Sequence, residues 1–121
     1  MKIWWIVFGA IFTLLVSGCE KVNMKRWEVQ YKAVNQGYQI PVYRITYMTK
    51  SGGTKVVGPI NSWHWESEVF NGVEEGSPVQ LEIEILSGEA SFDMQILRDG
   101  ALHEHLILRE GDKYLIVNSQ I

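Results

Sequence analysis

From Trp27 onward apolar and polar residues alternate with a period of two, in short runs separated by turn-forming residues. Trp27 to Val34 sets Trp27, Val29, Tyr31 and Ala33 against Glu28, Gln30 and Lys32, which predicts a half-buried strand ended by Asn35-Gln36-Gly37. Pro41 to Met48 is dense in β-branched and aromatic residues and predicts a second strand. The glycines of Ser51-Gly52-Gly53 then permit the positive φ angles of a tight hairpin turn, and Thr54 to Gly58 forms the return strand, ended by Pro59. Ser62 to Phe70 predicts one strand with Trp63, Trp65, Ser67 and Val69 on one face and His64, Glu66, Glu68 and Phe70 on the other. A turn region from Asn71-Gly72 to Gly76-Ser77 follows. Pro78 to Leu86 alternates without a break, so one face is core and the other meets water. Ala90 to Arg98 and Ala101 to Leu108 flank Asp99-Gly100, the strongest hairpin signal in the chain, and Lys113 to Asn118 is the last strand.

Seven or eight short strands joined by hairpin-length turns predict an all-β domain over residues 27–121, an antiparallel β-sandwich burying its alternating faces. The paired cysteines of a true immunoglobulin domain are missing, so the expectation is an Ig-like architecture only.

The first residues follow another rule. Lys2 precedes an unbroken apolar run from Ile3 to Val16, shorter than the roughly 20 residues that a helix needs to cross a bilayer. It fits the hydrophobic region of a signal peptide. The run ends in Val16-Ser17-Gly18-Cys19, which resembles the lipobox of bacterial lipoproteins. That resemblance implies a signal peptide over residues 1–18, a diacylglyceryl group on the thiol of Cys19, and Cys19 as the new N-terminus. Acyl chains contribute about 0.8 kcal/mol per buried CH₂, so two or three of them hold a protein on a membrane surface. Residues 19–26 then form a lipidated tether. Its seven residues after Cys19 reach at most about 25 Å.

Cys19 is the only cysteine, which excludes an internal disulfide and any Cys-rich metal site. The formal charge of -3, one more negative once Lys2 leaves, and the scatter of Lys and Arg exclude a phosphate-tracking surface, so no nucleic-acid partner is expected.

The order of the domain resembles the small extracytoplasmic β-sandwich domains of the MmpS-like kind. The pattern is Trp27-Glu28-Val29-x-Tyr31, then Ile45-Thr46-Tyr47 running into Ser51-Gly52-Gly53-Thr54, then Trp63 or Trp65 before a strand. It continues with Val73-Glu74-Glu75-Gly76 leading to Val79-x-Leu81, and with Ile96-x-Arg98-Asp99-Gly100. The resemblance implies a membrane-tethered accessory module, in some members a partner of lipid-exporting transporters, with no catalytic residues. This chain departs from the pattern by carrying a lipobox cysteine in place of a membrane-spanning helix.

Several residue sets bear on chemistry. His103 and His105 fall on one strand face, about 7 Å apart along the chain, with His64 as a third conceivable ligand. Solvent-facing residues of an edge strand explain them better, since no cysteine and no further histidine backs a metal site, and no metal or cofactor is expected. Glu82 with Glu84, and Glu66 with Glu68, are carboxylate pairs of the kind glycosidases use, yet strand alternation already accounts for them as solvated faces. Tyr43, Ile45 and Tyr47 share one strand face, as do Trp63 and Trp65. Exposed, these rings would stack against a sugar, lipid or protein partner; inside the sandwich they would form a cross-strand cluster. Tyr43, Tyr47, Trp63 and Trp65 are therefore the candidate binding residues. The expectation is a non-enzymatic binding or accessory module, lipid-anchored through Cys19 to a bacterial plasma or outer membrane and facing away from the cytoplasm. Its partner would be a protein or lipid. The competing expectation is an inhibitor or immunity-type lipoprotein that caps an envelope hydrolase.

Overall fold

The computed structural model describes residues 25–121. Its regular elements are β1 (Arg26–Asn35), β2 (Val42–Met48), β3 (Thr54–Ile60), β4 (His64–Glu66), β5 (Phe70–Glu74), β6 (Pro78–Ser87), β7 (Phe92–Arg98), β8 (Ala101–Leu108) and β9 (Tyr114–Gln120). No helix occurs among the described residues. In the first sheet β4 and β5 run in succession along one side of β1, whose other side pairs with β7, and β8 is the far edge. The second sheet has the order β3-β2-β6-β9. All pairings are antiparallel, and the two sheets pack as the layers of a sandwich.

The alternation explains which side chains meet. Val79, Leu81, Ile83 and Ile85 of β6 are buried, and Gln80, Glu82 and Glu84 turn outward. They pack with Tyr43, Ile45 and Tyr47 of β2 against Val29, Tyr31 and Ala33 of β1 and Phe92, Met94 and Ile96 of β7. Each such side chain contributes about 1.5–3 kcal/mol by leaving water. The turn between β7 and β8 has Asp99 at φ 52° and Gly100 at φ 80°, the two positive angles of a type I′ hairpin. Asp99 also fastens this turn to β1: its N–H donates to Glu28 O and its Oδ1 accepts from Glu28 N–H, both at 2.8 Å.

The described residues hold nine strands rather than seven or eight, because Ser62 to Phe70 is not one strand. Glu66 lies opposite Lys32 and Phe70 opposite Val29, so the segment from Ser67 to Val69 contains one residue more than β1 offers. Ser67 fixes this bulge. Its N–H donates to Tyr31 O at 2.9 Å, and its Oγ accepts from Tyr31 N–H at 3.0 Å. The phase therefore inverts, and Trp65 and Phe70 face the core while Val69 is exposed. A second bulge, with Gly72 at φ 69°, carries β5 through the expected turn at Asn71-Gly72. β3 likewise continues past Gly58 to Ile60. Pro59 is tolerated because β3 is an edge, where a missing N–H leaves no ladder partner unsatisfied.

Antiparallel order sorts the connections to two ends. Lys25 leads into β1 at one end, together with the β2–β3, β5–β6 and β7–β8 turns. The β1–β2, β3–β4, β6–β7 and β8–β9 connections lie at the opposite end, about 30 Å away over the length of β1.

Candidate functional site

Two of the four candidate binding residues belong to the core. Tyr43 is 0% and Tyr47 2% exposed, because β2 is paired on both sides and its odd-numbered face meets the other sheet. The Tyr43 ring packs on Phe92 at 4.8 Å between centroids, and Tyr47 on Tyr31 at 5.4 Å and on Trp65 at 5.3 Å. These rings form the cross-strand cluster inside the sandwich, and they offer no face to a partner. Trp65 is half-buried against the same cluster.

The phenol oxygens end at polar groups near the rim of the core. Tyr31 donates to Met48 O at 2.8 Å, Tyr43 to Ser62 O at 3.0 Å, and Tyr47 to Glu68 Oε1 at 2.6 Å. Burial pushes the Tyr31 and Tyr43 hydroxyls up to about 12. Tyr47 is raised as well, by burial and then by the adjacent Glu68 carboxylate. The bond from Tyr47 holds Glu68 below the usual carboxylate range, with Lys55 Nζ 3.6 Å from Glu68 Oε2 adding to it. This Tyr47–Glu68–Lys55 chain links β2 and β3 of one sheet to the β4–β5 connection of the other. Its role is to close one flank of the sandwich.

The histidines do not converge. A bulge in the β7–β8 pairing, between Ile96 and Leu97, leaves His103 without an opposite residue. His103 Nε2 donates to Gln120 O on β9 at 2.6 Å, while His105 Nδ1 donates to Asp93 Oδ1 on β7 at 2.9 Å. The single strand face expected for both is lost to the bulge. His64 is on the opposite edge of that sheet, with Nδ1 accepting from Asn35 N–H at 3.2 Å. Among the described residues no group of three or more His, Cys, Asp or Glu side chains is placed to hold a metal ion. The carboxylate pairs are spent on neighbours: Glu84 pairs with Arg44 at 2.8 Å and Glu66 with Lys32 at 3.7 Å, and Glu68 turns toward Tyr47 instead of sharing a face with Glu66.

A further exposed aromatic set lies at the end opposite Lys25. Tyr38 is 99% exposed, Ile40 48% and Trp63 38%, on the β1–β2 and β3–β4 loops. The residues from Gln36 to Pro41 and from Asn61 to Trp63 include no Lys, Arg, Asp or Glu. The loops are nonetheless held in shape. Asn35 Nδ2 donates to Gln39 O and Asn35 Oδ1 accepts from Gly37 N–H, both at 2.8 Å. Gln36 N–H donates to Ser91 O at 2.7 Å, and Ser62 Oγ donates to His64 O at 2.8 Å. Hydrogen-bonded loops carrying a bare tyrosine and a tryptophan among Asn, Gln, Ser and Gly have the composition of a protein-binding surface. Of the four sequence candidates only Trp63 belongs to it. Tyr38 and Ile40 escaped the sequence reading because they sit outside any alternating run; the signal was an aromatic residue in a charge-free loop between two strong strands.

Cys19 and the expected signal segment lie outside the described residues. No known protein-family model matches this chain, and no curated protein is significantly similar to it.

Proposed function

We propose that this protein is a lipid-anchored, extracytoplasmic binding module of the bacterial cell envelope, non-catalytic and Ig-like in architecture. The lipobox-like end of the apolar run supports the anchor, and the two-layer antiparallel sandwich supports the architecture. The single observation that carries the binding role is the exposed Tyr38, Ile40 and Trp63 on hydrogen-bonded, charge-free loops at the end opposite the tether. With Cys19 lipidated, the short tether holds the Lys25 end near the bilayer and turns these loops away from it. Their occupant is a protein surface, met by aromatic stacking and amide hydrogen bonds rather than by charge pairing. The MmpS-like resemblance makes a component of an envelope transport system one candidate for this partner. An inhibitor or immunity-type lipoprotein would use the same loops, with an envelope hydrolase as its partner.

The test places a photo-crosslinking residue at position 38, at position 63 and, as a control, at Lys55 on β3. A discrete adduct in intact cells is expected from 38 and 63 and not from 55; Trp63→Ala should weaken the adduct formed from 38, and Tyr38→Ala that formed from 63, the latter while thermal stability changes by no more than about 0.5 kcal/mol. An adduct from position 55 alone would place the interface elsewhere. The identity of the adduct separates a transporter from a hydrolase. Independently, Cys19→Ser should leave an unprocessed, unlipidated precursor; normal processing of that variant would reduce the segment to an ordinary signal peptide.

A further inference from the structure

The opposite end of the sandwich, where β1 begins, faces the membrane if Cys19 carries lipid. Only residues 20–25 separate Cys19 from Arg26, a reach of about 20 Å when fully extended. Lys25, Arg26, Lys50 and Arg98 all lie at this end, and so do Glu28, Glu74, Glu75 and Asp99. Cations and carboxylates therefore balance, and a diffuse attraction to an anionic surface has little to act through. The geometry is local instead. A cleft of about 350 Å³ opens between β1, the β2–β3 loop and β5, lined by Arg26, Lys50, Gly72, Val73, Glu74 and Ser77.

Two features of this cleft bear on its ligand. Gly72 has no side chain, and a Cβ there would stand 3.3 Å from Lys50 Nζ, so glycine leaves room for the ammonium group to lie across the cleft from one sheet to the other. Arg26 Nη2 is 3.5 Å from Glu74 Oε2, a long contact between side chains that are both more than half exposed, which leaves most of the guanidinium donors free. A forked cation and a point cation set against the one Glu74 carboxylate leave the lining net positive, which suits a phosphate group, with Ser77 beside it.

We infer that this end of the sandwich rests on the bilayer and that the cleft between Arg26 and Lys50 receives the phosphate of an anionic lipid headgroup. The inference rests on the lipid-anchor reading above. A seated headgroup fixes the domain upright, so that Tyr38 and Trp63 point outward. Without it the domain would swing on its tether.

The experiment is amide hydrogen exchange of the full lipidated chain on phosphatidylcholine vesicles, with and without one-third phosphatidylglycerol. Exchange over Lys50 to Gly53 and Gly72 to Ser77 is expected to slow several-fold when phosphatidylglycerol is present. Arg26→Gln with Lys50→Gln should remove the slowing, and Lys113→Gln, at the far end, should retain it. Equal exchange on both vesicles overturns the inference, as does slowing that survives the double substitution. Equal slowing by millimolar inorganic phosphate on phosphatidylcholine alone also overturns it, since the cleft would then be a free-anion site. Intact mass and vesicle flotation report the anchor separately: an anchored chain without slowing loses the cleft and keeps the anchor, whereas slowing in a chain that carries no lipid keeps the cleft and loses the anchor.

Discussion

β2 and β8 are both apolar-rich strands of glycine-turned hairpins, and their local sequences predict similar burial. In β2, Tyr43, Ile45 and Tyr47 are shut away from water, whereas in β8 Leu102 is 51% and Leu106 45% exposed and only Leu108 is buried. The difference is position. β2 has β3 on one side and β6 on the other, while β8 pairs with β7 alone. Leu106 stands opposite Met94, whose side chain is in the core, yet no strand beyond β8 covers it. Apolar content therefore marks a strand that can be buried, and neighbours on both sides decide whether it is.

The largest effect that tests this contrast is truncation. Ile45→Ala should cost about 2–5 kcal/mol in urea unfolding, and Leu106→Ala about 1 kcal/mol or less. Equal costs would mean that β8 is covered in solution. Next comes alkaline pH. With the Tyr31 and Tyr43 hydroxyls raised to about 12 from an ordinary value of 10, the unfolded chain ionises first. Stability from these rings should be intact below pH 10 and fall as pH rises from 10 through 12; Tyr43→Phe should flatten that decline, and an unchanged slope would contradict the burial of its hydroxyl.

A smaller effect is expected at the flank closed by Tyr47 and Glu68. Tyr47→Phe keeps the ring packing and removes the bond to Glu68, at a cost of about 1 kcal/mol. Because the folded chain holds Glu68 below its ordinary value, its contribution is present above that value and lost as pH falls through the folded one. Tyr47→Phe should therefore make acid unfolding shallower, and an identical acid limb in both proteins would remove Glu68 from the account. The smallest effect is at the exposed edge, where Leu102→Lys should change stability by no more than about 0.5 kcal/mol. A larger loss would show that Leu102 is buried in an assembly.

Much of the fold was legible. The alternating strands β1, β6 and β7 lie close to where their period of two places them, although Asp93 and Leu97 of β7 are buried as well, and the Asp99-Gly100 turn has the two positive φ angles that its residues favour. The misreadings share one cause. Ser67, Gly72 and Gly58-Pro59 sit where the chain departs from regular pairing, and a period count treats such a departure as the end of a strand or misses it. At Ser67 the shift depends on two hydrogen bonds to Tyr31, a residue of another strand. The candidate site was less legible, because Tyr43 and Tyr47 have the same composition whether they line a core or a surface, and Tyr38 belongs to no pattern at all.

Taken alone, the sequence determined the class of the domain, most of its turns, and the two faces of each strand that carries no bulge, because local backbone geometry sets which side chains share a face. Where both faces of a strand carry apolar or aromatic residues, as in β2 and β8, it could not say which face was the inside. That was decided when the second sheet covered the Tyr43–Tyr47 face and left Arg44 and Thr46 outside, when β8 took an edge, and when the bulge after Ile96 turned His103 toward β9 and away from His105. The period of two only separates the faces of a strand, and where both carry apolar residues long-range pairing and sheet-on-sheet packing choose between them.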